Sequence, residues 1–386
     1  MKKLAGILSV MAALVGLLPC QAHAVQSVTA DSATSADGRT NGAHLTGDFT
    51  LTFADNENVA GGGVTTATDN TGSLGFLGSS SITGVVGSSA SVRLRQISGG
   101  AVDETVRFNG NVFAVNTTLT SSGTLTLADD ANLTSAVTTL TSNNGSLNFL
   151  GTSLVTGQVG TSTNKVATLT AGVVGERVTF SNDVFATSTR ITGVGTVTFN
   201  GDVTSNINFN QNGLVEFADG SDLVGTISTS TTNTGSVTYH GASTVTSAVG
   251  TTNSLASVTI QGGTVTLNSG SDWGVRTTFI RTNTASATAG TLKLGQNSTL
   301  TGIVRVTDDP AVTGASTLDL SQYRATISDT LEIASGAMLR TTVSTVSGTS
   351  TTAGYVNAGS TNVSTGSLLD VDVQAQYVEN GAVFML

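Results

Sequence analysis

The sequence predicts an all-β chain, a right-handed parallel β-helix or β-solenoid built from degenerate Gly/Thr/Val-rich coils. Three observations predict it. A phrase recurs three times, as TGSLGFLGSSSITGVVG at 71–87, NGSLNFLGTSLVTGQVG at 144–160 and TGSVTYHGASTVTSAVG at 234–250. A second phrase keeps step with it, ETVRFNGNVFA at 104–114 returning as ERVTFSNDVFA at 176–186. Gly72 returns as Gly145 and Glu104 as Glu176, and two unrelated phrases moving by nearly one offset mark a duplicated unit of the kind found in solenoids and arrays. The third observation is period-two alternation of apolar and polar residues in short runs, which gives strands one buried and one outward face.

Taken in chain order, Lys2 and Lys3 precede an apolar run from Leu4 to Leu18, and Ala22-His23-Ala24 supplies small residues where a signal peptidase reads. Residues 1–24 are therefore expected to be a secretory signal peptide. A lipoprotein reading on Cys20 is disfavoured by Pro19, which stands where a small residue is wanted. No later apolar run reaches the roughly 20 residues that span a bilayer. Cleavage after Ala24 removes Cys20, the single cysteine, so stability must come from a regular core or from repetition rather than disulfides. It also leaves 13 basic against 25 acidic residues, a charge of −12. An acidic surface disfavours nucleic acid and anionic lipid, which both need a basic footprint.

Residues 25–45 read as a lead-in or cap and 46–300 as the repeat solenoid, with super-repeats of about 73–90 residues. The alternating runs include Phe49-Thr50-Leu51-Thr52-Phe53, Thr124-Leu125-Thr126-Leu127, Thr196-Val197-Thr198-Phe199, Leu214-Val215-Glu216-Phe217, Thr264-Val265-Thr266-Leu267 and Thr291-Leu292-Lys293-Leu294. Glycine or asparagine precedes most of them and supplies the corners. The steps from Phe108 to Leu127, Phe180 to Phe199, Phe199 to Phe217 and Phe217 to Tyr239 are nearly equal. At roughly 20 residues each, they suit one solenoid coil of three short strands and their turns. With aromatics at 5%, a thin core of mainly aliphatic side chains is expected. Residues 301–386 continue less regularly, as in Leu331-Glu332-Ile333 and Leu368-Leu369-Asp370-Val371, and are expected to break off on a strand, while 341–367 reads either as a loose coil or as a long loop.

The phrases GSLNFLGTSLVTGQVGTSTNK and VTFSNDVFATST, with the closing AQYVENGAVFML, resemble the passenger regions of rickettsial outer-membrane autotransporter surface antigens. The resemblance implies a surface-exposed β-solenoid serving as an adhesin or protective surface layer, whose partners are a host-cell receptor or neighbouring copies. It also implies a translocator barrel of about 8 or more amphipathic strands, which these residues do not contain; a separate or missing barrel is the expectation.

Candidate chemistry is sparse. Secreted β-helices include carbohydrate-active enzymes, which need clustered acids with a base. The candidates are Asp129-Asp130, Asp219 with Asp222, and Asp308-Asp309, each in a turn-like setting where Asp serves its own backbone. The acidic turns recur as FADNEN at 53–58, LADDAN at 127–132 and FADGSD at 217–222, without the ligand spacing of known calcium loops; weak calcium binding stays open. His44 and His240 lie in different repeats with no ligand partner at metal spacing. His240 stands where Leu77 and Leu150 stand in the other copies and reads as an exposed substitution. Trp273 reads as a packing or corner residue, and the Thr-x-Thr pairs as the solvated face of strands. The sequence therefore predicts a non-enzymatic surface or secreted passenger with no catalytic, cofactor or metal residue to name. A secreted carbohydrate-active β-helix enzyme is the alternative.

Overall fold

The computed structural model describes residues 26–30, 32–33, 42–250, 252–268, 273–342, 356–363 and 368–372. The leader expected over 1–24 and the closing segment after 372 lie outside the described residues. Every described element is a strand and every strand pairing is parallel, in two 16-stranded sheets and one three-stranded sheet. They stack as a β-solenoid of about 14 turns.

Each coil visits three faces. On the first, the inward residues Val59, Ile82, Phe108, Leu127 and Phe149 pair in succession. On the second, Leu133, Val155, Phe180, Phe199, Phe217, Tyr239, Ile260, Ile280, Val306 and Ile333 form one ladder. The third carries Val184, Val203, Leu223, Val245, Leu267 and Leu294. Longer strands such as Val112–Leu119 and Val184–Ile191 bend through a corner at a bulge and join two faces, which is where an extra residue turns a strand. The four spacings read from the sequence are all register partners one coil apart. The segment left open at 341–367 contributes the strand Val356–Val363, which pairs with Ala325–Ile333.

Alternation makes the core. Thr196–Phe199, Leu214–Phe217 and Ser236–Tyr239 each turn the second and fourth residue fully inward. The core is less aliphatic than expected. Phe180, Phe199, Phe217 and Tyr239 are fully buried and stack with ring centroids 5.3, 5.7 and 4.9 Å apart. Adjacent coils lie about 4.8 Å apart, close to the spacing at which offset rings attract, so one ladder of a narrow channel accepts a run of aromatics. Thr126 is also a correction: at 5% exposure it is buried rather than solvated, shaded in register between the longer Arg107 and Asn148.

The duplicated unit is not a whole number of coils. The first copy of the phrase forms Ser73–Phe76 on the third face, in line through Leu74, Ile97, Thr117 and Val137. The second forms Asn144–Phe149 on the first face, and the third forms Ser236–Tyr239 on the second. Three and a third coils therefore separate copies one and two. Leu147, Leu169, Thr189, Ile207 and Ile227 then mark four further coils before Val237, so the next interval is four and a third. Each copy is turned a third of the way around the fibre from the last.

Candidate functional surface

The repeated acidic turn is a corner, and the same corner rotates with the repeat. Asp55, Asp129 and Asp219 each follow an inward aromatic or leucine by two residues. Each accepts a backbone N–H from the next coil: Ser79 at 2.9 Å, Thr152 at 2.8 Å and Ala242 at 2.7 Å. The residue after each is left-handed, Asn56 at φ 62°, Asp130 at 59° and Gly220 at 82°, a conformation that Asn, Asp and Gly tolerate best. A Cβ added to Gly151 would lie 2.1 Å from the Asp129 Oδ1, and one on Gly241 2.2 Å from that of Asp219. The glycine midway through the phrase, Gly151 or Gly241, is thus required by the carboxylate stacked on it.

Other acids do similar work. Asp183 accepts from the Asp202 N–H and Asp202 from the Asp222 N–H, each at 3.0 Å, and Asp222 from Thr244 at 2.6 Å. Asn111 and Asn132 form the matching ladder a third of a turn away, accepting from Asn132 and Leu154. Asp308 accepts from Ser316, and Asp309 from Ala311. All six aspartates singled out as candidate acids therefore lie at corners, and Asp129, Asp219, Asp222, Asp308 and Asp309 spend an oxygen on backbone N–H groups. Among the described residues no group of three or more His, Cys, Asp or Glu is placed to hold a metal.

His44 meets the Thr65 hydroxyl at 2.9 Å. Trp273 is buried, as expected of a packing residue, and donates its indole N–H to Thr278 Oγ1 at 3.0 Å. His240 is part-exposed, as expected, yet it is not isolated. Its Nε2 lies 3.4 Å from Glu216, whose other oxygen pairs with Arg177 at 2.6 Å and accepts from Thr198 at 3.1 Å. Burial pushes the Glu216 carboxyl up, but the Arg177 hydrogen bond and charge, with Thr198 and His240, leave it below its ordinary value. These four residues span four coils of the second face. Sequence reasoning missed the group because each member stands on a different coil; the Phe180, Phe199, Phe217 and Tyr239 spacing was the signal that aligns them. Chemically the cluster is a satisfied ion pair with one carboxylate and no second acid, the arrangement of a structural clasp.

The outward row of the first face is mostly hydroxyls and carboxamides, with two arginines. On the first face Arg107, Thr126, Asn148, Thr170, Arg190, Asn208 and Ser228 follow one another in register. Hydroxyls and carboxamides link neighbouring coils, as Asn208 does to Ser228 at 2.9 Å. Such a surface offers hydrogen bonds along the fibre in place of one concentrated centre.

Over 216 residues the chain is 36% identical to outer membrane protein A of Rickettsia rickettsii. The resemblance to rickettsial autotransporter surface antigens is thereby shown. The match takes in 53% of this chain and 9% of that relative, so the chain spans a small part of the length of the protein it resembles. No family model and no solved structure matches the chain. A surface-antigen relative and a β-solenoid fold together support a cell-surface passenger protein.

Proposed function

We propose that this chain is a non-enzymatic, exported passenger-type β-solenoid that makes adhesive or layer-forming contacts with a host-cell receptor or with neighbouring copies. The observation that carries the reading is the use made of the acids. An enzyme gathers carboxylates and a base in one groove; here they are dispersed over three sets of corners and bonded to backbone N–H groups. The similarity to a rickettsial outer membrane protein supports a surface location. Contacts spread over repeated Ser, Thr and Asn rows fit broad, low-density binding, because each coil of a solenoid presents much the same surface as its neighbour.

The test is protease accessibility on intact cells, read with an antibody against residues 100–250 and a blot for size. Cell-attached material that protease removes is the expected result. Material found only in the medium would overturn the cell-attached form of the proposal and bring forward carbohydrate hydrolysis or lysis assays for the enzyme alternative.

A further inference from the structure

A shallow groove opens on the third face, where the strands Gly263–Leu267, Gly290–Leu294 and Thr317–Asp319 stack. Its lining includes Thr266, Asn268, Lys293, Ser321, Gln322 and Tyr323. The chemistry is two carboxamides, two aliphatic hydroxyls, a phenol and one ammonium group, with no carboxylate in the lining. Lys293 is exposed and makes no ion pair among the described residues. Its register neighbour Asp319 turns an oxygen to the Ser321 N–H at 2.8 Å and to the Ser321 hydroxyl at 3.4 Å, so that carboxylate is engaged within its own turn.

The groove is built, not incidental to a loop. Tyr323 packs part-buried against the core, and its backbone N–H donates to the Leu320 carbonyl at 2.9 Å, which holds the turn that carries it. Asn268 lies over Gly295, where a Cβ would stand 2.4 Å from its Oδ1, so the floor depends on that glycine. The two later coils are also those that leave the tight corner just ahead of this face. The excursion at 282–289 is pinched by the Asn283–Thr288 bridge, and a second runs from Asp308 to Ser316. Binding functions concentrate where loops leave a rigid scaffold.

We propose that this groove binds an acidic glycan, a sugar chain bearing carboxylates, with one carboxylate at Lys293 and ring hydroxyls at Asn268 and Gln322. A shallow site open to solvent suits a chain rather than an enclosed metabolite. Carboxamides pair with vicinal hydroxyls, and an aromatic ring covers the apolar face of a sugar. Lys293, the one charged group in that lining, meets a carboxylate as a point charge. The inference gives the proposed adhesive surface a ligand class and rests on that reading for its biological use.

Calorimetric titration of the purified full chain with trigalacturonic acid and with neutral galactotriose tests it. The acidic trimer should bind about tenfold more tightly than the neutral one, and Lys293→Gln should erase that preference. Tyr323→Leu should weaken both probes while circular dichroism stays unchanged. Equal affinity for both probes, no heat with either, or an unchanged preference in Lys293→Gln would overturn the proposal. A chain that fails to bind yet remains protease-accessible on intact cells would sink the groove alone and leave the surface reading standing.

Discussion

The second and third copies of the recurring phrase share one coil pattern, four and a third coils apart, and differ in how they answer buried polar groups. In the second, Phe149 is buried beside Phe180, with ring centroids 5.5 Å apart. Two coils on, the buried Thr189 and Ser205 hydroxyls bond each other at 2.8 Å, and Glu176 accepts from the Thr152 hydroxyl at 2.5 Å. In the third copy Tyr239 takes the place of Phe149, Gly263 that of Glu176, and Trp273 bonds Thr278 within its own strand. The Tyr239 hydroxyl is buried with no partner among the described residues, and burial pushes its phenol above the ordinary value. A coil touches only its neighbours. One copy can therefore drift without disturbing the others, provided its own hydrogen bonds close, and in the third copy one does not.

The sharpest way to break this comparison is to empty the second copy. Phe149→Ala should cost about 3–5 kcal/mol by removing a fully buried ring, read as a lower guanidinium midpoint and faster proteolysis. Next comes exchange between the copies. Tyr239→Phe should stabilise by about 1–3 kcal/mol by deleting an unanswered buried hydroxyl, and Phe149→Tyr should destabilise in the same range. If Tyr239→Phe left the midpoint unchanged, the hydroxyl would have a partner after all.

Thr278→Val should cost about 1–2 kcal/mol by orphaning the Trp273 indole N–H, and a red-shifted, quenchable tryptophan emission would report the loosened ring. The pH dependence is a smaller effect. Glu216 has its folded value held below the ordinary one. Its contribution is present in full above the ordinary glutamate range and is lost as pH falls through the folded value. Glu216→Gln should flatten the acid limb of a stability profile; an unchanged limb would remove the clasp from the account. The smallest effect is expected at Asp69, whose carboxyl is held down to about 2 by hydrogen bonds to Arg93. That pair is solvent-exposed, so Asp69→Asn should move the midpoint little at low salt and not at all at high salt.

Much of the candidate surface was legible without coordinates. The turn character of Asp129, Asp219 and Asp308 followed from residue type and setting, because Asp near Asn or Gly bonds backbone whatever the fold. The Arg177, Glu216 and His240 group and the Lys293 groove were not legible. Their members come from different coils, and a residue's alignment with the next coil depends on the lengths of every corner between them.

The same division holds for the molecule as a whole. Period-two alternation, glycine corners and the intervals from Phe108 to Tyr239 determine by themselves that the chain forms parallel coils and which residues face inward, since those demands are local to one coil. Only the tertiary structure decides that the three phrase copies lie on three different faces, that phenylalanines stack in one ladder of the core, and that Thr126 is covered. The offset from Gly72 to Gly145 says how much chain was duplicated. The angle between copies is the remainder left when that length is wound into coils of unequal size, and packing settles that remainder one coil at a time.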